Sequence, residues 1–184
     1  MAALVAAALA QVGDRPAWLV AILADRYKRP ATVLVAAAAA LAAASAIAVV
    51  AATLLAPMLT PAARALLLAM ALLLQGGGAF LPVRAPDRLE GWRLGAVGTS
   101  FIGSFVLAFG DGLQFVVLAL AVRSATPWLA PVGAVIGSLA VLTPAALLGE
   151  RAWTALPLVS ARYVIGALFV VVALILGLGA LHLI

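Results

Sequence analysis

The sequence predicts an all-α integral membrane protein of six transmembrane helices, arranged as two inverted three-helix repeats. Three observations carry that expectation. Of 184 residues, 67% are hydrophobic and only 9% are charged, too few charges for the polar shell of a soluble domain. Apolar runs of about 20 residues, the length that crosses a bilayer, recur along the chain between short polar stretches. A Gly-Asp pair interrupts the first run at Gly13-Asp14, and another interrupts the fourth at Gly110-Asp111, 97 residues later.

The first run, Met1 to about Ala24, is apolar apart from the insert Gln11-Val12-Gly13-Asp14-Arg15-Pro16. A signal peptide is not expected, because a basic n-region is missing and the insert would break its apolar core. Asp25-Arg26-Tyr27-Lys28-Arg29 reads as a loop, and Pro30 suits the first turn of the next helix. Ala31 to Leu55 is an alanine-dominated second span whose small side chains allow close helix approach in lipid. Pro57 and Pro61 punctuate a turn, and the third span runs from about Ala62 to Leu81, with Gln75-Gly76-Gly77-Gly78 near its end. The Gly triplet lacks the Lys-Ser/Thr of a phosphate loop and reads as tight packing or a helix break.

Residues 82–93 form the longest polar stretch and divide the chain into a first repeat, 1–81, and a second, 94–184. The fourth span, about Leu94 to Val122, holds the second Gly-Asp; the fifth is about Leu129 to Leu148 and the sixth about Ala161 to Leu183. Trp128 and Glu150-Arg151-Ala152-Trp153 suit interfaces, as does His182, the single histidine. A shift of 98 residues also aligns Ala63-Arg64 with Ala161-Arg162. Three spans per half make the second half enter the membrane in the opposite sense.

Basic residues set the orientation. Arg26, Lys28, Arg29, Arg84, Arg88, Arg93, Arg151 and Arg162 fall on one side, against Arg64 and Arg123 on the other. The positive-inside rule makes the first side cytoplasmic, with the 82–93 loop inside and both termini outside. The expected location is the bacterial inner (plasma) membrane. The net charge of +5 therefore serves orientation and contact with anionic lipid, and no nucleic-acid partner is expected. Small-residue helix faces are compatible with a homo-oligomer.

An Asp inside an apolar helix costs about 2.5 to 3.5 kcal/mol on insertion scales, so two of them point to function. Interrupted helices at matching positions in two halves are the sequence mark of a transport site. Inverted repeats would bring Asp14 and Asp111 to one cavity. Carboxylate, amide and carbonyl oxygens are the ligands of hard cations such as calcium, magnesium and manganese. The candidate ligand set is Asp14, Asp111, Gln11 one turn before the first acid, and Gln114 three residues after the second. Both acids are also candidate proton carriers, since burial disfavours the charged form of a carboxyl. Gly13, Pro16, Gly110 and Gly112 are the expected helix-breaking positions, and Arg15 is a candidate ion-pair or gating residue.

These motifs resemble the calcium:cation antiporter-2 family, within the lysine-exporter-type superfamily, whose members carry twin Glu-x-Gly-Asp-Lys/Arg-Thr/Ser motifs. The resemblance covers the whole chain, including Val132-Gly133-Ala134 and Gly137 in the fifth span. It implies exchange of manganese or calcium for protons, with no cofactor. Gln11 and Ala108 stand where the family has Glu, Pro16 and Leu113 where it has Thr or Ser, and Gly112 where it has Lys or Arg. Two of four carboxylates are thus replaced, which lowers the expected affinity for a divalent ion.

Other readings stand beside this one. Asp14 with Arg15 could be a structural ion pair, and Gln11, Gln75 and Gln114 interhelical hydrogen-bonding residues. The chain could also be a non-transporting subunit or regulator, or carry another small substrate such as an amino acid, received by Arg15 and helix N-termini. An enzyme is not expected. There is no cysteine, and the spans hold no Ser-Lys or Glu-His arrangement for acid–base or nucleophilic work.

Overall fold

Proline, threonine and aspartate mark where the helices begin. In a computed structural model of the chain, which describes residues 1–109 and 111–181, α3 (Pro30–Leu55) and α4 (Pro61–Ala79) both start on proline. Proline at a helix start gives up an N–H that would have no intrahelical partner anyway. Thr60 caps α4 by accepting the Ala63 N–H at 3.2 Å. Before them, α1 (Ala2–Gln11) and α2 (Arg15–Tyr27) split the first apolar run at the Gly-Asp insert, and Lys28 closes α2 in the left-handed region. After the linker come α5 (Gly95–Phe109), α6 (Gly112–Val122), α7 (Leu129–Ala155) and α8 (Leu158–Ala180), with a 3-10 turn, Ala56–Met58, between α3 and α4.

The described residues are helical or irregular, without strands. Four segments are long and apolar enough to cross a membrane as single helices: Pro30–Met58, Pro61–Ala79, Leu129–Ala155 and Leu158–Ala180. A fifth is formed if α5 and α6, which meet at a bend of 67°, count as one crossing. Six spans are thus not all seen as crossings, while the expected interruption of the first run at Gly13-Asp14 is seen. The first and fourth runs are divided at their acids, leaving α1 and α2 of 10 and 13 residues. At 1.5 Å per residue, neither reaches the roughly 30 Å of a hydrocarbon core alone.

Three expected boundaries shift. Asp25, Arg26 and Tyr27, expected in a loop, form the last turn of α2, which Lys28 ends in the left-handed region. The fifth span was expected to end near Leu148, but α7 continues to Ala155 through a kink at Gly149, whose φ is +74°. The cause lies far away in sequence: Asp25 on α2 accepts the Glu150 N–H at 2.7 Å, and its carboxylate fills the space a side chain at 149 would need. The sixth span begins at Leu158, before Ala161, because the chain turns back immediately after the kinked segment.

Two apolar cores lie on either side of the helix breaks. One surrounds α6: Leu113, Val116 and Val117 pack with Ala48 and Val49 of α3, Leu68 and Leu72 of α4, and Phe169 and Ala173 of α8. The other surrounds α2: Leu19, Val20 and Leu23 pack with Val33, Ala37 and Leu41 of α3 and with Leu142 and Ala145 of α7. Helix α1 lies along α7, as α5 lies along α3; α2 also packs on α7, as α6 does on α3. Helices α1 and α6 touch, as do α5 and α2, while α3 meets α7 and α4 meets α8. Small residues allow these approaches. A Cβ at Gly137 of α7 would run into the Leu4 carbonyl of α1.

The α4–α8 pair is interlocked most closely. A Cβ on Gly76 would lie 2.7 Å from the Gly166 carbonyl oxygen, and one on Gly166 would lie 2.9 Å from that of Gly76. Phe80 and Tyr163 stack at 5.8 Å between ring centroids. The linker is fixed to the α2 end: the Arg26 guanidinium donates to the carbonyls of Arg88, Leu89, Glu90 and Trp92, and Arg88 pairs with Glu150 at 2.6 Å.

A candidate ion cavity between two broken helices

Each break is built in the same way. Asp14 is the N-cap of α2 and Asp111 the N-cap of α6, both with extended backbone. Asp14 Oδ1 accepts the Arg15 N–H at 2.8 Å, and Asp111 Oδ1 accepts the Leu113 N–H at 3.4 Å. A carboxylate at a helix N-terminus answers the unpaired N–H groups and the positive end of the helix dipole. Gly13 has φ +71°, a value costly for any residue with a Cβ, and a Cβ there would lie 3.2 Å from Leu158 at the start of α8. Pro16 sits in the first turn of α2. Gly110, the matching break position in the second half, lies outside the described residues.

Both acids line one cavity of about 310 Å³. Its wall also includes Val12, Arg15 and Pro16 from the first break, Gly112 from the second, Gln75 of α4 and Arg162 of α8. From the breaks it reaches the end of α4 and the start of the linker, at Leu81, Pro82 and Val83. The sequence-derived set is thus brought together in part: Asp14, Arg15, Pro16, Asp111 and Gly112 share the wall.

Gln11 and Gln114 do not line it. Gln11, fully buried, donates from Nε2 to Ser138 Oγ on α7 at 3.4 Å. Ser45 on α3 donates to Gln114 Oε1 at 3.0 Å. Each glutamine, one turn from its acid, therefore ties a broken helix to the long helix of the other half. Such bonds hold helices in register where no water competes.

Two wall residues lay outside the candidate set derived from sequence. Gln75 packs over Gly112, where a Cβ would meet its side-chain oxygen. Arg162 donates to the Leu81 carbonyl at 2.7 Å and the Gly78 carbonyl at 2.9 Å, holding the last turn of α4. The available signal was an arginine just inside an apolar span, in a chain with two intramembrane acids to balance. Its repeat partner, Arg64, instead bonds the Leu59 and Ala56 carbonyls in the α3–α4 turn.

A cavity bearing paired carboxylates from two interrupted apolar helices is the architecture of an ion-transport site. The chain matches the family described as divalent cation/proton antiporter GDT1 over residues 1–86 and 96–183. It belongs to that family. No curated protein and no solved structure matches it. As a member of this antiporter family the protein is an integral membrane protein with several apolar crossings, and the family implies a transported cation and protons. Between the two matched segments, residues 87–94 lie in the loop between α4 and α5, and Gly95 opens α5.

Proposed function

We propose that this chain is a secondary transporter exchanging a divalent cation of the manganese or calcium class for protons, with Asp14 and Asp111 as the shared ion- and proton-binding groups. One observation carries the reading: two acids, each capping the second half of a broken helix, face the same cavity. Their oxygens are hard ligands suited to such ions. The protein is a carrier and performs no bond-making chemistry.

The proposed architecture is six crossings in two inverted repeats, 1–81 and 94–184, joined by the linker 82–93. Packing supports it. Exchanging α1 with α5, α2 with α6, α3 with α7 and α4 with α8 converts the α1–α7 contact into α5–α3, α2–α7 into α6–α3, and α1–α6 into α5–α2. The distribution of basic residues supports a cytoplasmic linker and external termini in a bacterial plasma membrane. In that orientation the cavity, which runs from the breaks toward Leu81 and Pro82, faces the cytoplasm.

Alternating access then depends on the α4–α8 pair. Helix α4 packs on α6, whereas α8 makes no comparable contact with α2 among the described residues. Swinging the interlocked pair from α6 toward α2 would close the cavity on one side and open its counterpart on the other.

The test is flux of manganese and calcium into proteoliposomes under a pH gradient. Asp14→Asn and Asp111→Asn are each expected to cut uptake by roughly 10²- to 10³-fold, the cost of breaking a buried charged site. Undiminished uptake by the folded double variant would end the proposal.

A further inference from the structure

The ion-binding role proposed for Asp14 and Asp111 leaves part of an ion's coordination shell to be filled. Hard divalent cations take about six to eight oxygen ligands, and two carboxylates supply about four at most. Among the described residues no group of three or more His, Cys, Asp or Glu side chains comes together, so the rest must be uncharged oxygens. On the cavity wall, among those residues, Gln75 is the one side chain besides the two acids that carries an oxygen.

The glutamines near the breaks differ in what they bond. Gln11 donates to Ser138, and Gln114 accepts from Ser45. The Gln75 carboxamide, half-buried at the cavity, makes no hydrogen bond among the described residues, and the Gly78 and Leu81 carbonyls at the end of α4 are held by Arg162. Its oxygen stands where a Cβ on Gly112 would go, with the Gln75 Cα 3.6 Å from the same point. Gly112 follows Asp111 at the start of α6, so the amide oxygen lies at the helix end that the second acid caps. Gly112 lacks the left-handed backbone of Gly13, and what a side chain there would take is the place of the amide.

We infer that the Gln75 carboxamide oxygen is a third protein ligand for the transported cation, and that Gly112 keeps it in place. An amide oxygen is a neutral, hard donor, which suits ions of the calcium and manganese class and disfavours soft ones. It does not take up a proton as the carboxylates do. Protons and cation therefore share the two acids during exchange, while the amide serves the cation alone.

The experiment uses the full chain in proteoliposomes under a pH gradient and measures the manganese concentration that gives half-maximal uptake. Gln75→Leu removes the oxygen at similar size, and should raise that concentration by roughly 10- to 100-fold, the range that loss of a supporting residue costs a metal site. Gly112→Ala leaves Gln75 in the chain but displaces its oxygen, and should act in the same direction; it serves if Gln75→Leu does not fold. Gln75→Cys puts the single thiol of the chain at this place. A thiolate ligand favours zinc over manganese and calcium, so zinc should inhibit manganese uptake by Gln75→Cys at about tenfold lower concentration than in the unmodified protein or Gln75→Leu.

Unchanged half-saturation in Gln75→Leu and Gly112→Ala, with uptake still lost in Asp14→Asn and Asp111→Asn, would overturn this inference and leave the exchanger reading intact. Weakened uptake in Gln75→Leu without added zinc sensitivity in Gln75→Cys would also overturn it, because the side chain would then act by packing. Folded, unmodified protein that moves neither manganese nor calcium under the pH gradient would remove the exchanger reading, and the ligand with it.

Discussion

The α6 end and the α2 end of this molecule are built from corresponding parts and finished differently. Around α6, residues of α4 and α8 complete the core, with Leu68, Leu72 and Phe169 all under 10% exposed. Around α2, the core is formed by α2, α3, α5 and α7 with Leu89 of the linker, and among the described residues α8 reaches it through Leu158 at its first turn. The cavity occupies the side of α2 that α8 would cover if the two ends were alike. The α4–α8 pair packs against α6 and not comparably against α2 among the described residues, which leaves the cavity beside the start of α2.

The strongest way to break that comparison is to immobilise the pair. The chain has no cysteine, so Leu72→Cys and Leu113→Cys can be joined by a short bifunctional reagent without competing reactions. Cross-linking should abolish flux entirely while leaving the cavity reachable from the linker side. Retained flux would show that α4 need not leave α6.

A smaller effect is expected from steric changes within the pair. Gly76→Val places side-chain atoms against the Gly166 carbonyl and Phe169, and should destabilise the fold by about 1–3 kcal/mol. At Gly77, one position along, nothing lies within 4 Å, and Gly77→Ala should be neutral or stabilise by about 0.5–1 kcal/mol. Thermal unfolding in detergent compares the two. Equal effects would mean that α4 and α8 are not locked where the structure has them.

The mildest comparison concerns the glutamine ties. Ser45→Ala removes a 3.0 Å bond and Ser138→Ala a 3.4 Å bond, one in each half. Each should cost about 0.6 kcal/mol, up to roughly 1.7, with Ser45→Ala the larger. A reversed order in unfolding measurements would mean that the longer contact carries the register.

Much of the fold was legible because its signals are local. Pro30 and Pro61 begin helices, and the Gly-Asp at 13–14 divides one, for reasons contained within a few residues. The two acids stood out in sequence because charge is so costly in an apolar run, and both line one cavity. What escaped depends on partners far away in sequence. The extension of α7 through Gly149 is held by Asp25, 125 residues before Glu150. Arg162 reads as an interfacial arginine until the end of α4 is placed against it, 81 residues away. Gln11 and Gln114 read equally well as ligands or as interhelical bonds, and only the positions of Ser138 and Ser45 assign them those bonds.

The linker's attachment points limit how far α4 can travel. Arg162 holds the chain at Leu81, and Arg26 grips it again from Arg88 onward, leaving residues 82–87 between two clamps. Six residues span at most about 20 Å, and Pro82 and Pro86 favour an extended path. That segment is a short leash. If the α4–α8 pair swings as proposed, the length of that segment bounds how far the end of α4 can go before α2 is pulled along.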